Sequence, residues 1–287
     1  MLDTRVTKCR VPSEVEKVPR LYFMTLASNK KERPLALVTG ASSGIGVELS
    51  RELARDGHDV ILVARRENPM RDLATKLAAF GVNATVVAAN LGVINAASCL
   101  VAELHERGLD VPDVLVNNAG FGDYREFSEA EPTKLAEMIQ LNVTTLTELT
   151  RFLLPGMLAR RRGRILFVGA LAGFVPGPGA AVYHATKAYV VSLGEALADE
   201  LHGTGVTVTT LCPGPTESGF DIAAGLDPDA GEARRRFMTA RRVAQSAYQA
   251  MMQGHSLEVP GVINRLPAAW ARLAARMLVK AAIGTNR

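Results

Sequence analysis

The chain has 287 residues, 48% hydrophobic and 22% charged, with a formal net charge of +4. That is enough apolar material for one large α/β domain or two small ones, and no run of about 18 apolar residues is present that could span a membrane. Residues 1–33 hold eight Lys/Arg against four acids, so the rest of the chain balances to zero. The basic character therefore belongs to an arm and not to a binding face, and no nucleic-acid partner is expected. The arm is dotted with charge and lacks the uninterrupted apolar core of a secretory signal. Three widely spaced cysteines, Cys9, Cys99 and Cys212, suit free thiols in a reducing compartment, hence a cytoplasmic location.

Residues 1–33 show no sustained period and read as a loosely held arm, within which Met24 offers an alternative start. From Pro34 onwards, strand-length apolar runs alternate with helix-length segments. They are Leu35–Val38 then 45–56, Val60–Ala64 then 69–80, Ala84–Ala89 then 95–108, Val114–Val116 then 131–160, Ile165–Val168 then 181–202, and Val206–Leu211. Continuously apolar strands alternating with helices predict a parallel sheet covered on both faces, and nothing in the pattern marks a second domain. The cluster Arg160–Arg164 is expected to be a solvated helix C-terminus. The segment 214–235, rich in Gly, Pro, Asp and Ser, is expected to be mobile, before a helix over 240–253 and a short strand over Ser256–Val259. The tail 261–287 carries apolar residues at helical spacing, with Arg272, Arg276 and Lys280 interleaved. Its stretch 266–282 is expected to dock on its own domain or on a partner subunit, with contact to a membrane surface as the alternative.

Gly40, Ser42, Ser43, Gly44, Ile45 and Gly46 fall between the first strand and the first helix, with the spacing Gly-x-x-x-Gly-x-Gly. Glycines there permit a tight turn and close backbone approach, and the helix N-terminus can hold a pyrophosphate. At the end of the second strand, where an NAD site carries an acid, this chain has Arg65 and Arg66. Guanidinium groups match a phosphate, so NADP(H) is the expected cofactor and Arg65 the favoured contact. Tyr183 and Lys187 are four apart on a helix and share a face. An ammonium at that distance favours phenolate, so Tyr183 can pass a proton to or from a substrate oxygen. The side chains expected around the pocket are Phe121, Tyr124, Phe127, Leu171, Phe174, Val175 and Phe220, although Leu171 and Phe127 equally suit the core. With no fixed cation among them, they point to a bulky, neutral carbonyl compound or secondary alcohol.

Together with Asn117-Asn118-Ala119-Gly120, Asn142 and Pro213-Gly214, these motifs occur in an order and spacing that resembles the short-chain dehydrogenase/reductase family over roughly 34–260. The resemblance implies a single doubly wound α/β domain of Rossmann type over 34–260, with a seven-stranded parallel sheet of order 3-2-1-4-5-6-7, one active site per subunit, and a homodimer or homotetramer. The run Gly173–Gly179 is similar to a bacterial branch with broad carbonyl substrates. Carried over by residue, the resemblance implies Tyr183 as proton donor and Lys187 as the group that lowers its pKa and holds the nicotinamide ribose. Asn142 would position a water linking the lysine to solvent. Asn117, Ala119 and Gly120 would line the adenosine side, and Pro213, Gly214 and Thr216 would lie beside the nicotinamide.

Two positions depart from the family's pattern. Asn90-Leu91 stands in place of Asp-Leu, where an amide oxygen can still accept from the adenine amine. Ala170 lies thirteen residues before Tyr183, the place of the family's catalytic serine, and no serine or threonine occurs from Arg160 to His184. The resemblance thus implies an NADPH-dependent oxidoreductase that interconverts a carbonyl and a secondary alcohol, slowed by Ala170. The alternative is an NADP(H)-binding protein with little or no catalysis, a sensor or scaffold. No residue is assigned to a metal.

Overall fold

The computed structural model describes residues 33–109, 111–220, 237–261 and 264. Within them the alternating rhythm becomes β1 (Leu35–Thr39), α1 (Gly44–Arg55), β2 (Asp59–Ala64), α2 (Glu67–Leu77), β3 (Ala84–Ala88), α3 (Ala96–Glu106) and β4 (Val114–Asn117). It continues as α4 (Pro132–Ile139), α5 (Leu146–Ala159), β5 (Gly163–Val168), α6 (Ala181–Glu200) and β6 (Val206–Leu211). Beyond these come β7 (Thr216–Glu217), β8 (Met238–Thr239), α7 (Ala240–Gln253) and β9 (Leu257–Glu258). Seven strands form one parallel sheet in the order β3-β2-β1-β4-β5-β6-β9, while β7 and β8 pair separately. This is the expected 3-2-1-4-5-6-7, with the last strand numbered ninth because the small ribbon precedes it.

The core follows from the two-residue period of the strands. In β1, Ala36 and Val38 face a layer containing Leu49 and Leu53 of α1 and Val243, Ala244 and Ala247 of α7. Leu37 faces the opposite layer, against Leu100 and Leu104 of α3, Leu149 and Leu153 of α5 and Val190 of α6. Both faces are dry, which is why the strand reads as an unbroken apolar run. The chain reverses its direction of growth between β1 and β4, which pair at Leu37 and Leu115. The carboxyl ends of these two strands therefore open onto the crevice where doubly wound sheets bind ligands.

Several expectations need correction or limits. The segment 131–160 is not one helix: α4 and α5 are joined by a π-helical turn, Gln140–Thr145. The arginine cluster is not merely solvated, because Asp113 lies 3.2 Å from Arg162 and 3.9 Å from Arg160, and Arg164 belongs to β5. The same carboxylate accepts from the Leu35 amide at 2.9 Å, so it ties the start of β1 to the end of α5. Cys212 is buried, while Cys9 lies outside the described residues. The arm apart from Arg33, residues 221–236 of the glycine- and proline-rich segment, and the tail apart from Gly261 and Asn264 lie outside the described residues. Among the described residues no helix is long and apolar enough to cross a membrane.

Candidate active site

One cleft of about 880 Å³ runs across the carboxyl ends of the strands and gathers nearly all of the expected site residues. At one end lies the turn from β1 into α1. Gly40 has φ +68, and a β-carbon there would lie 2.6 Å from Asn118 Nδ2. A β-carbon on Gly46 would collide with the Gly40 carbonyl oxygen, so that approach needs glycine too. Ser43 begins α1 without a side-chain cap, leaving the first-turn N–H groups for a ligand. Thr39 and Asn118 brace the turn from below. Asn118 Nδ2 donates to Thr39 O at 2.9 Å and Gly40 O at 3.3 Å. Thr39 Oγ1 accepts from the amides of Asn118 and Ala119, each at 3.0 Å.

The two arginines after β2 have different neighbours. Arg66 Nη2 lies 3.2 Å from Ser42 Oγ and so reaches the glycine turn, whereas Arg65 Nη1 lies 3.7 Å from Glu137 on α4. Both line the cleft with Asn90 and Leu91. Asn90 Oδ1 accepts from the Gly92 amide at 3.0 Å, which leaves one acceptor site on that oxygen. Ala119, Gly120, Pro213, Gly214 and Thr216 also line the cleft. Asn117 does not: it is buried beneath, donating to Thr150 Oγ1 at 3.0 Å and tying β4 to α5.

Tyr183 and Lys187 occupy the buried side of α6 and face the same cleft. Lys187 Nζ lies 5.9 Å from the Tyr183 ring centroid and donates to Val168 O at 2.8 Å. Burial strips water from this ammonium and lowers its pKa from 10.5 to about 8. Asn142 sits in the π turn, 1% exposed. Both of its amide hydrogens are used, on Phe121 O at 2.9 Å and Thr186 Oγ1 at 3.1 Å, while Oδ1 accepts from the Phe121 amide at 3.1 Å. Asn142 thus fixes the Gly120–Phe121 loop. A β-carbon at Gly120 would fall 2.9 Å from its Oδ1 and 3.7 Å from Lys187 Nζ.

Ala170 lines the cleft and opens a short 3₁₀ turn, Leu171–Phe174. Of the apolar residues expected around the pocket, Phe121, Tyr124, Leu171, Val175 and Phe220 line it. Phe127 is instead a surface residue, 67% exposed, and Phe174 packs with Val191 and Cys212 behind the wall. The rings of Tyr124 and Phe220 flank Tyr183 at centroid distances of 5.9 and 5.4 Å. Residues with no role assigned from sequence include Thr39, Asn118, Thr186 and Phe237. Asp123 is another: its buried carboxylate holds Lys134 at 2.7 Å and Arg125 at 3.2 Å beneath the Phe121–Tyr124 loop. The signal for Asn118 was present, because it belongs to the Asn117–Gly120 motif.

The model of the short chain dehydrogenase family matches residues 34–228. The chain is 39% identical over 183 residues to the NADP-dependent 3-hydroxy acid dehydrogenase YdfG of Salmonella typhi, covering 63% of this chain and 71% of that one. Among solved structures it is similar to a short-chain dehydrogenase from Sphingobium yanoikuyae in complex with NADPH, with TM-score 0.76, 29% identity, and coverage of 88% of this chain and 96% of the other. It is also similar to the bulky-bulky ketone specific alcohol dehydrogenase from Comamonas testosteroni, with TM-score 0.70, 28% identity, and coverage of 84% and 94%. With the glycine turn, the Tyr183/Lys187 pair and the strand order in one framework, the family match covers more than half of the sequence, and the chain belongs to the short-chain dehydrogenase family.

Proposed function

We propose that this protein is an NADPH-dependent oxidoreductase that interconverts a carbonyl and a secondary alcohol on a bulky, neutral, apolar substrate, with Tyr183 as the proton donor. The observation that carries the reading is the Tyr183/Lys187 pair, whose dehydrated ammonium opens into the same cleft as the glycine turn.

The residues present fit a nicotinamide dinucleotide phosphate. The uncapped start of α1 and the crowded glycines Gly40 and Gly46 suit a pyrophosphate held by backbone N–H groups. Arg65 and Arg66 supply cations, with no acid at the end of β2, which suits a 2′-phosphate over a free ribose hydroxyl. When bound, the nicotinamide supplies a hydride to the carbonyl carbon or takes one up from the alcohol carbon.

The chain's own groups handle the proton. Tyr183 gives its phenolic proton to the carbonyl oxygen during reduction and recovers it during oxidation. The Lys187 ammonium, held on Val168 O, favours phenolate and so eases that transfer. Asn142 has no N–H left to offer, so any water it holds must donate to its second Oδ1 lone pair or to its main-chain carbonyl. The π turn suits that task, since i→i+5 bonding releases carbonyls from the helical ladder. Ala170 supplies no hydroxyl, so the substrate oxygen lacks the donor that a serine would give. Loss of one such donor costs about 10²–10³ in rate.

Substrate character is supported by Phe121, Tyr124, Leu171, Val175, Phe220 and Phe237, which line the cleft, the first two and Phe220 packing with Tyr183. We assign a cytoplasmic location and a homodimer or homotetramer, and divide the chain into an arm over 1–33, a catalytic domain over 34–260 and a tail over 261–287. Ala170 favours a second reading, an NADP(H)-binding protein with little catalysis. NADPH oxidation with a panel of ketones, run beside Tyr183→Phe, separates the two. The oxidoreductase reading expects turnover that the variant abolishes while NADPH still binds. Wild-type protein that binds NADPH and reduces no ketone supports the second.

A further inference from the structure

We infer that His184 is a positioning residue that pins the substrate-side wall of the cleft and so sets selectivity for bulky ketones, an inference that rests on the oxidoreductase reading. His184 Nδ1 lies 2.8 Å from Val175 O. A carbonyl only accepts, so Nδ1 carries the proton, and both the neutral Nδ1–H tautomer and the imidazolium satisfy the bond. The ring lies flat against Gly177, where a β-carbon would collide with it. The glycine is thus the space into which the imidazole fits.

The wall needs such an anchor. Between Val175 and Gly179, Pro176 and Pro178 have no N–H to donate. Gly179 turns with φ +74, and Gly177 O accepts from the Ala180 amide at 3.0 Å as the loop enters α6. Val175 lines the cleft yet is 52% exposed, so packing alone does not hold it. The His184 bond fixes its carbonyl, and through it the apolar surface presented to substrate. His184 directly follows Tyr183, with the rings 6.0 Å apart and edge-on at 83°. The wall is thereby registered to the residue that delivers the proton, and His184, which also lines the cleft, acts by position.

The test compares wild type, His184→Ala, His184→Asn and Gly177→Ala, with NADPH and either acetone or propiophenone. Asparagine places an amide nitrogen near the position of Nδ1 and restores the bond to Val175 O. His184→Ala and Gly177→Ala are expected to raise KM for propiophenone roughly five- to tenfold, an effect of the size seen for losing a small apolar contact. Their kcat and their KM for acetone stay within about twofold of wild type, the mark of lost positioning and not lost chemistry. His184→Asn returns KM for propiophenone towards wild type. Equal losses of kcat on both ketones, or an asparagine variant no better than alanine, overturn the assignment. Amide exchange at Ala180 provides a readout independent of turnover, faster in His184→Ala and restored in His184→Asn. If wild type reduces neither ketone, the oxidoreductase reading fails, and the exchange measurement still decides the latch: unchanged exchange refutes it.

Discussion

Replacing Lys187 with methionine is expected to make the protein more stable and inactive at once. Burial lowers the Lys187 pKa from 10.5 to about 8. At about 1.4 kcal/mol for each tenfold change in proton affinity, keeping that ammonium charged in the fold costs about 3 kcal/mol at pH 7. Methionine fills a similar volume without the charge. It gives up the 2.8 Å bond to Val168 O, which for a charged donor costs about 2 kcal/mol. The net expectation is a gain of about 1 kcal/mol at pH 7. Its pH dependence has a definite sign. Below pH 8 the folded protein holds the proton and bears the whole cost. Between about 8 and 10.5 the folded state has released a proton that the unfolded chain still binds, so the lysine's contribution to stability rises with pH. The variant's advantage therefore shrinks as pH rises through that window and disappears within it. Urea unfolding of wild type and Lys187→Met without cofactor, at pH 7 and pH 9.5, measures the difference, and NADPH oxidation with a ketone measures the loss of activity. A variant less stable than wild type at pH 7, or an advantage that does not change with pH, would refute the claim that this site holds a dehydrated charge.

Other expectations concern the two ends of the cleft. Ala170→Ser should raise kcat for a ketone at least tenfold by giving the substrate oxygen a second donor, within the range such donors contribute. An unchanged kcat in steady-state assays would mean that position 170 does not face the reacting oxygen. Exchanging Arg65 and Arg66 together for glutamate should lower the preference for NADPH over NADH by roughly 10- to 100-fold, the scale of a lost charged hydrogen bond or two. A ratio of kcat/KM values for the two cofactors that stays as in wild type would place the 2′-phosphate elsewhere.

The parts of the fold legible in the sequence are those where physics leaves a periodic trace. Strands β1, β2 and β4 are buried on both faces and read as apolar runs, and their ends, like those of β5 and β6, come out within two residues. The glycine turn, Tyr183 and Lys187 are local patterns, each explained by one helix or one turn. What could not be read is what depends on direction or on distant pairs. Phe127 and Phe174 are as apolar as Phe121, yet one faces solvent and the other packs behind the wall. Thr39 and Asn118 are 79 positions apart in the chain and meet only because β1 lies beside β4. The anchor of Lys187 on Val168 has the same character. The π turn was hidden because Leu141, three after Met138, and Val143, three before Leu146, keep the apolar spacing of an ordinary helix.

That turn makes chain length, more than residue identity, the information stored over Gln140–Thr145. A π segment holds roughly one residue more than an α-helix of the same rise, and each residue of an α-helix advances about 100° around the axis. Deleting one residue would let α4 and α5 fuse into a continuous helix and rotate one of them by about that angle against the other. Asn142 would then leave the loop it holds at Phe121, and Met138, fully buried on α4, would swing away from its cluster with Tyr183. The active-site loop and the helix packing are thus phased by the same extra residue, and neither can drift in length without dislocating the other.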